Sequence, residues 1–193
     1  MNSPSINYKN IYYPPGGILL WIIIFLELIT FGAALIAMVV YGKQEPEIFH
    51  ESRLLLNVSF GTINTVFLLT SGFFMAITVH EIKENQKQKA QKYLLITMLF
   101  GILFLILKAI EYNTKLNAGL DMGYNTFFTF YWMLTLFHVI HVIVGLVILT
   151  SVFFGIKKEN STTTIVDIEA SAAFWHMCDL IWLLLFPVIY LIF

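Results

Sequence analysis

The sequence contains a single cysteine, Cys178, among 193 residues. A disulfide framework within the chain is therefore excluded, and one thiol carries no information about redox compartment. Charge is also scarce: only 12% of residues are Asp, Glu, Lys or Arg, and the net charge is −1. No basic face is present, which argues against nucleic acid as a partner. The opening MNSPSINYKNIYYPPGG is polar and rich in breakers. It has no charged region followed directly by a short apolar core and a cleavage site. The expectation is that there is no signal peptide and that the first apolar helix serves as the insertion signal. There is no internal repeat and no low-complexity tract, and no connecting segment is long enough to fold as a separate domain.

What the chain has in quantity is apolar side chains. Hydrophobic residues make up 59% of it, and the mean hydropathy is +0.80. A soluble domain of this size could not cover such a core with its few polar groups, so the class is integral membrane protein. Five apolar stretches stand out, at residues 18–41, 54–79, 93–110, 127–154 and 170–193. Each suits a helix crossing about 30 Å of hydrocarbon, which takes roughly 20 residues. The predicted fold is an all-α bundle of five transmembrane helices forming one domain over residues 1–193. The connections are short and polar, with a charged linker at residues 83–92 and a Lys/Ser/Thr segment at 157–167. Lys9, Lys83, Lys87, Lys89, Lys92, Lys157 and Lys158 fall on one side. Lys43, Arg53 and Lys115 fall on the other, with Lys108 near enough to a helix end to snorkel. That asymmetry predicts the N-terminus inside and the C-terminus outside.

Ionisable groups inside such helices are costly and usually face protein rather than lipid. The last stretch carries Glu169, His176 and Asp179 along one helical stripe. The first carries Glu27 well inside its span. Two readings of Glu27 stand: a protonated or hydrogen-bonded carboxyl that fixes helix packing, and a proton-exchanging group. The second stretch holds many weak polar groups, among them Asn64, which needs a partner from another helix. The third ends in Lys108, Glu111 and Lys115, spaced so that the charges meet on one face. The simplest reading is an ion pair at the outer membrane boundary, with Tyr112 as an interfacial anchor. The fourth carries His138 and His141 on one side of a helix. They are candidate metal ligands, and His176 offers a facing imidazole for a haem, but the ligand set is incomplete. The reading preferred for them is interior histidines bonded to carboxylates, with no metal. Glu27, His141 and Asp179 lie at similar depth. We therefore expect Glu27 to pair with a fourth-helix histidine, and His176 and Asp179 to join the same or an adjacent polar cluster. Glu169, nearer the inner boundary, is expected to meet Lys157 or Lys158.

These residues resemble subunit III of the haem–copper respiratory oxidases. The segments that carry the resemblance are WIIIFLELITFG with Glu27, NTVFLLTSGFFMA, LFLILKAIEY with Glu111 and Tyr112, FHVIHVIVG, and EASAAFWHMCDLIWLLLFPVIYLIF. Their order agrees with the family, and they cover nearly the whole chain. Long family members have seven helices, and the first pair is missing here, with the lipid-holding cleft it forms. Five-helix forms occur in bacterial quinol and cytochrome oxidases and in an accessory branch associated with nitric oxide reductases. LLTSGFFMA and WHMCDLIWLLLFPVIYL look more like that accessory branch. The resemblance implies a non-catalytic subunit in the bacterial inner (plasma) membrane. It implies no cofactor in this chain, with haem and copper held by partner subunits. The implied partners are the catalytic haem–copper subunit I, other oxidase or reductase subunits and membrane lipids. The implied role is to stabilise the catalytic subunit and support proton uptake.

Two other functions fit the residues by themselves. One is a free-standing proton-conducting or transporter-like protein, with Glu27, His141 and Asp179 as a relay. Against it, only Pro187 interrupts a helix and no inverted repeat pairs with it. The other is a membrane haem or metal protein using His138, His141 and His176.

Overall fold

The computed structural model describes residues 16–157 and 163–193. Lys9 and Lys158, used above for orientation and as a partner for Glu169, lie outside the described residues. Among the described residues the chain is helical with no strand: α1 Ile18–Gln44, α2 Pro46–Leu54, α3 Val58–Lys83, α4 Lys87–Asn117, α5 Thr126–Lys157 and α6 Ile165–Tyr190. All but α2 are long and apolar enough to cross a membrane.

The helix ends follow local chemistry. Asn57 caps α3 by accepting from the Ser59 N–H at 3.0 Å. Thr164 and Asp167 form a reciprocal capping box at the start of α6. Asn125 Oδ1 accepts from Phe128 N at 2.9 Å where α5 begins. Between α3 and α4 the chain reverses in three residues, with Asn85 at φ 60.

Three boundaries differ from the hydropathy reading. The charged linker is largely helix, because Lys and Gln extend a helix readily once it leaves the apolar layer. As a result α4 has 31 residues, about 46 Å at 1.5 Å per residue. The second span starts at Val58, since Leu54 closes α2. That short helix, opened by Pro46, was not anticipated; its nine residues are too polar to register as a span. It closes one end of the bundle. Phe49 is fully buried against Phe127 and Phe193, with ring centroids 5.4 and 5.0 Å away. Ser52 Oγ accepts from Asn125 Nδ2 at 2.7 Å, and Arg53 Nε donates to the Tyr190 carbonyl at 3.1 Å.

The central helix is α6. Half of its spanning window is buried, against 22–33% for the other four spanning helices. It packs on α1, α3 and α5, while α4 packs on α3 and α5. Small residues set these approaches. Trp175 of α6 lies between Gly101 of α4 and Gly145 of α5, where an added Cβ would sit 2.8 Å from its ring on either side. Its indole N–H donates to Ser71 Oγ at 3.1 Å, and Ser71 donates onward to the Thr97 carbonyl at 2.8 Å. Three helices are thereby joined to α6 through one side chain.

Candidate functional site

The ionisable residues resolve into three clusters. The most enclosed surrounds Glu111. Lys108 Nζ donates to Glu111 Oε2 at 2.9 Å. The hydroxyls of Tyr190 and Tyr131 donate to Oε1 at 2.6 and 3.1 Å. Lys115 Nζ reaches the same oxygen at 3.2 Å. Four donors thus occupy the acceptor sites of one carboxylate. Lys108 also donates to Tyr190 Oη at 3.0 Å. Its ammonium lies 4.7 Å from the ring centre of Trp182 and 5.4 Å from that of Tyr112. Aromatic faces of this kind stabilise a desolvated cation.

This corrects the expectation that Lys108 snorkels. The expected Lys108–Glu111 ion pair forms, and it is enclosed, each residue being 1% exposed. Lys108 points into the bundle and does not snorkel, because its partners lie on α5 and α6. Tyr112 packs on Trp132, with centroids 4.7 Å apart. A cleft of about 140 Å³, lined in part by Asn57, Thr114, Glu111 and Lys115, borders the cluster.

The second cluster joins α1 to α5. Glu27 Oε2 lies 3.3 Å from His141 Nε2. The other ring nitrogen, Nδ1, faces the Phe137 carbonyl of its own helix at 2.8 Å. A carbonyl only accepts, so Nδ1 carries a hydrogen. The Glu27 carboxyl therefore faces the second ring nitrogen, Nε2, across this contact. Phe31 and Phe137 pack their rings 5.7 and 4.7 Å from the imidazole.

The third cluster lies between α6 and α3. His176 Nδ1 is 3.3 Å from Asp179 Oδ2. Gly72 of α3 makes room for them: a Cβ there would collide with Asp179 Oδ2. His138 belongs to none of the three. It is fully buried between the rings of Phe104 and Trp182, and its Nε2 is 3.1 Å from the Cys178 carbonyl. Its partner is thus a backbone oxygen and not the expected carboxylate. His138 and His141, although three residues apart, serve different neighbours. Among the described residues no hydrogen bond or ion pair links the Glu27 pair to the Asp179 pair, so the polar cluster read from the sequence is divided.

Two further expectations change. Glu169 meets Lys83 at 2.7 Å, not Lys157, because the end of α3 lies beside the start of α6. Asn64 is fully buried, and neither of its side-chain polar atoms has a hydrogen-bond partner within the chain. Among the described residues no three His, Cys, Asp or Glu side chains gather as metal ligands would. Sequence reasoning missed Tyr131, Tyr190 and Trp182 around Lys108. The available signal was that an apolar segment carrying two lysines and a glutamate needs hydroxyl and aromatic partners elsewhere.

Comparison with known proteins supplies the remaining observation. Residues 6–192 match the family model described as cytochrome c oxidase subunit III. The chain is 28% identical to the cytochrome bo(3) ubiquinol oxidase subunit 3 of Buchnera aphidicola over 173 residues, covering 89% of this chain and 84% of that protein. It is 34% identical to the cytochrome c oxidase subunit 3 of Synechocystis sp. over 171 residues, covering 88% and 70%. The match to the Mycosarcoma maydis cytochrome c oxidase subunit 3 is 34% over 129 residues, spanning 66% of this chain and 46% of that one.

Proposed function

The chain belongs to the cytochrome c oxidase subunit III family, and from that premise we propose that it is a non-catalytic subunit of a haem–copper terminal oxidase. The complex reduces oxygen with electrons from cytochrome c or quinol. This chain lies in the bacterial inner membrane, N-terminus inside and C-terminus outside, and packs against the catalytic subunit. Haem and copper belong to the partner subunits. Its contribution is to stabilise the catalytic subunit and to support proton uptake. The observation that carries this reading is the family match across residues 6–192. The relatives named above are oxidase subunits, so an oxidase is proposed over the nitric oxide reductase accessory branch that two segments resemble.

The Glu27–His141 contact is the group within this chain best suited to handling a proton, since a carboxyl and an imidazole face each other there within a helix bundle. The Glu111 cluster suits a structural role, because its acceptors are all filled from within the chain. The test is oxygen uptake by the complex with and without this chain. Equal initial rates followed by faster loss of activity in the depleted complex are expected. Identical decay in the two preparations would refute the supporting role.

A further inference from the structure

Most of the outer surface of the bundle suits lipid. α4 exposes Leu95, Leu99, Ile102, Ile106 and Ile110, and α1 exposes Leu19, Ile22, Leu26 and Ile29. The face shared by α3 and α6 is different. Among the described residues, His176 is the one carboxylate, amine or imidazole that is exposed more than two turns from either end of its helix. It follows the start of α6 by eleven residues, about 16 Å along the axis, or near the middle of roughly 30 Å of hydrocarbon. Its side chain is 44% exposed. Its neighbour Asp179 turns one oxygen to it, while the other, Oδ1, is buried without a hydrogen-bond partner.

A groove of about 400 Å³ runs beside this pair, lined by Leu69, Phe73, Ala76, Leu180 and Leu183 together with Gly72. His80, on the same stripe of α3, is exposed further along, near the end of that helix. Acyl chains offer neither a donor nor an acceptor, so lipid would leave the outer ring nitrogen of His176 unsatisfied at mid-depth. A protein helix can supply that partner. Ala76 beside His176 lets a neighbouring backbone come close, as small residues do at helix contacts in membranes.

We propose that the α3–α6 face is covered by a transmembrane helix of another oxidase subunit, which presents a hydroxyl, amide or carboxyl group to His176 and apolar side chains to the groove. This rests on the subunit reading above and adds which face meets the partner.

The test uses the full-length tagged chain in its native membranes. A photo-crosslinking amino acid replaces Phe73 in one strain and, as a control, Ile106 on the lipid-facing stripe of α4 in another. After irradiation the complex is isolated in mild detergent and the adducts are mapped by mass spectrometry. The Phe73 probe should join a transmembrane segment of a core oxidase subunit, and the Ile106 probe should give lipid adducts only. If the chain co-purifies with the core subunits but the Phe73 probe labels lipid, a quinone or a second copy of itself, this proposal falls and the subunit reading stands. If no core subunit co-purifies, both fall. A second variant, Ala76→Leu, fills the groove without touching a buried group. It should lower recovery of the core subunits by about tenfold, the effect of overpacking at one contact. Undiminished recovery would also overturn the proposal.

Discussion

The hydroxyl of Tyr190, at the end of α6, donates to Oε1 of Glu111, on α4, at 2.6 Å. The same hydroxyl accepts from Lys108 at 3.0 Å. One phenol thus joins both members of a buried ion pair to the central helix. Replacing Tyr190 with Phe keeps the ring and removes only these bonds. A hydrogen bond to a charged group is worth about 1.5–3 kcal/mol. Tyr190→Phe should lose stability of that order in thermal unfolding of the detergent-solubilised protein, with helix content unchanged.

Lys108 provides a sharper test. Breaking a buried ion pair by removing one partner leaves an uncompensated charge and costs about 3–5 kcal/mol. Lys108→Met should therefore destabilise more than Tyr190→Phe does. The double variant Lys108→Met, Glu111→Leu should recover part of the loss, because no carboxylate is then stranded. Lys115, two residues before the end of α4, is left with a short path to water. The readout is the order of the three unfolding midpoints. A double variant less stable than either single change would contradict this reading.

Glu27→Gln tests the α1–α5 contact. A glutamine amide can donate to His141 Nε2. Folding and assembly should survive, with a stability change within about 1 kcal/mol. Glu27→Leu strands the imidazole nitrogen and should cost about 1–3 kcal/mol. Failure of the Gln variant to assemble would exclude a simple hydrogen-bonding role.

Trp175 sits in a slot made by two glycines. Gly145→Ala places a methyl against the indole, and the ring is also held by its bond to Ser71. Overpacking of this kind costs about 1–3 kcal/mol. The unfolding midpoint should fall, and Trp175→Phe in the same background should restore part of it by shrinking the ring.

The Lys83–Glu169 contact should matter far less. Lys83 is 52% exposed, so solvent screens the pair. Lys83→Ala should change stability by no more than about 1 kcal/mol.

The sequence made the bundle legible because hydropathy over 18 or more residues has few other meanings. It also placed Glu27 at the depth of His141, since position along an apolar run translates into depth. Rotation about each helix axis was not legible. His138 and His141 share one side of α5, yet one turns to the Cys178 carbonyl and the other to Glu27. That divergence depends on which helix lies where, and an apolar helix gives little sign of its neighbours because lipid and protein interior look alike to leucine. Lys108 was misplaced for the same reason. Distance from a helix end suggested snorkelling, whereas the side chain finds three aromatic partners across the bundle at Tyr131, Trp182 and Tyr190. Glu169 meets Lys83 rather than Lys157 because a neighbour in sequence is not always a neighbour in space. The short helix α2 escaped notice because its chemistry is that of a loop.

The most direct test of the account is isolation of the tagged full-length chain from its native membranes in mild detergent, with haem absorption recorded and every co-purifying protein identified by mass spectrometry. The account predicts a haem-containing complex in which the catalytic haem–copper subunit is present in equal amount with this chain. Recovery of this chain by itself, without that subunit and without haem, would contradict it.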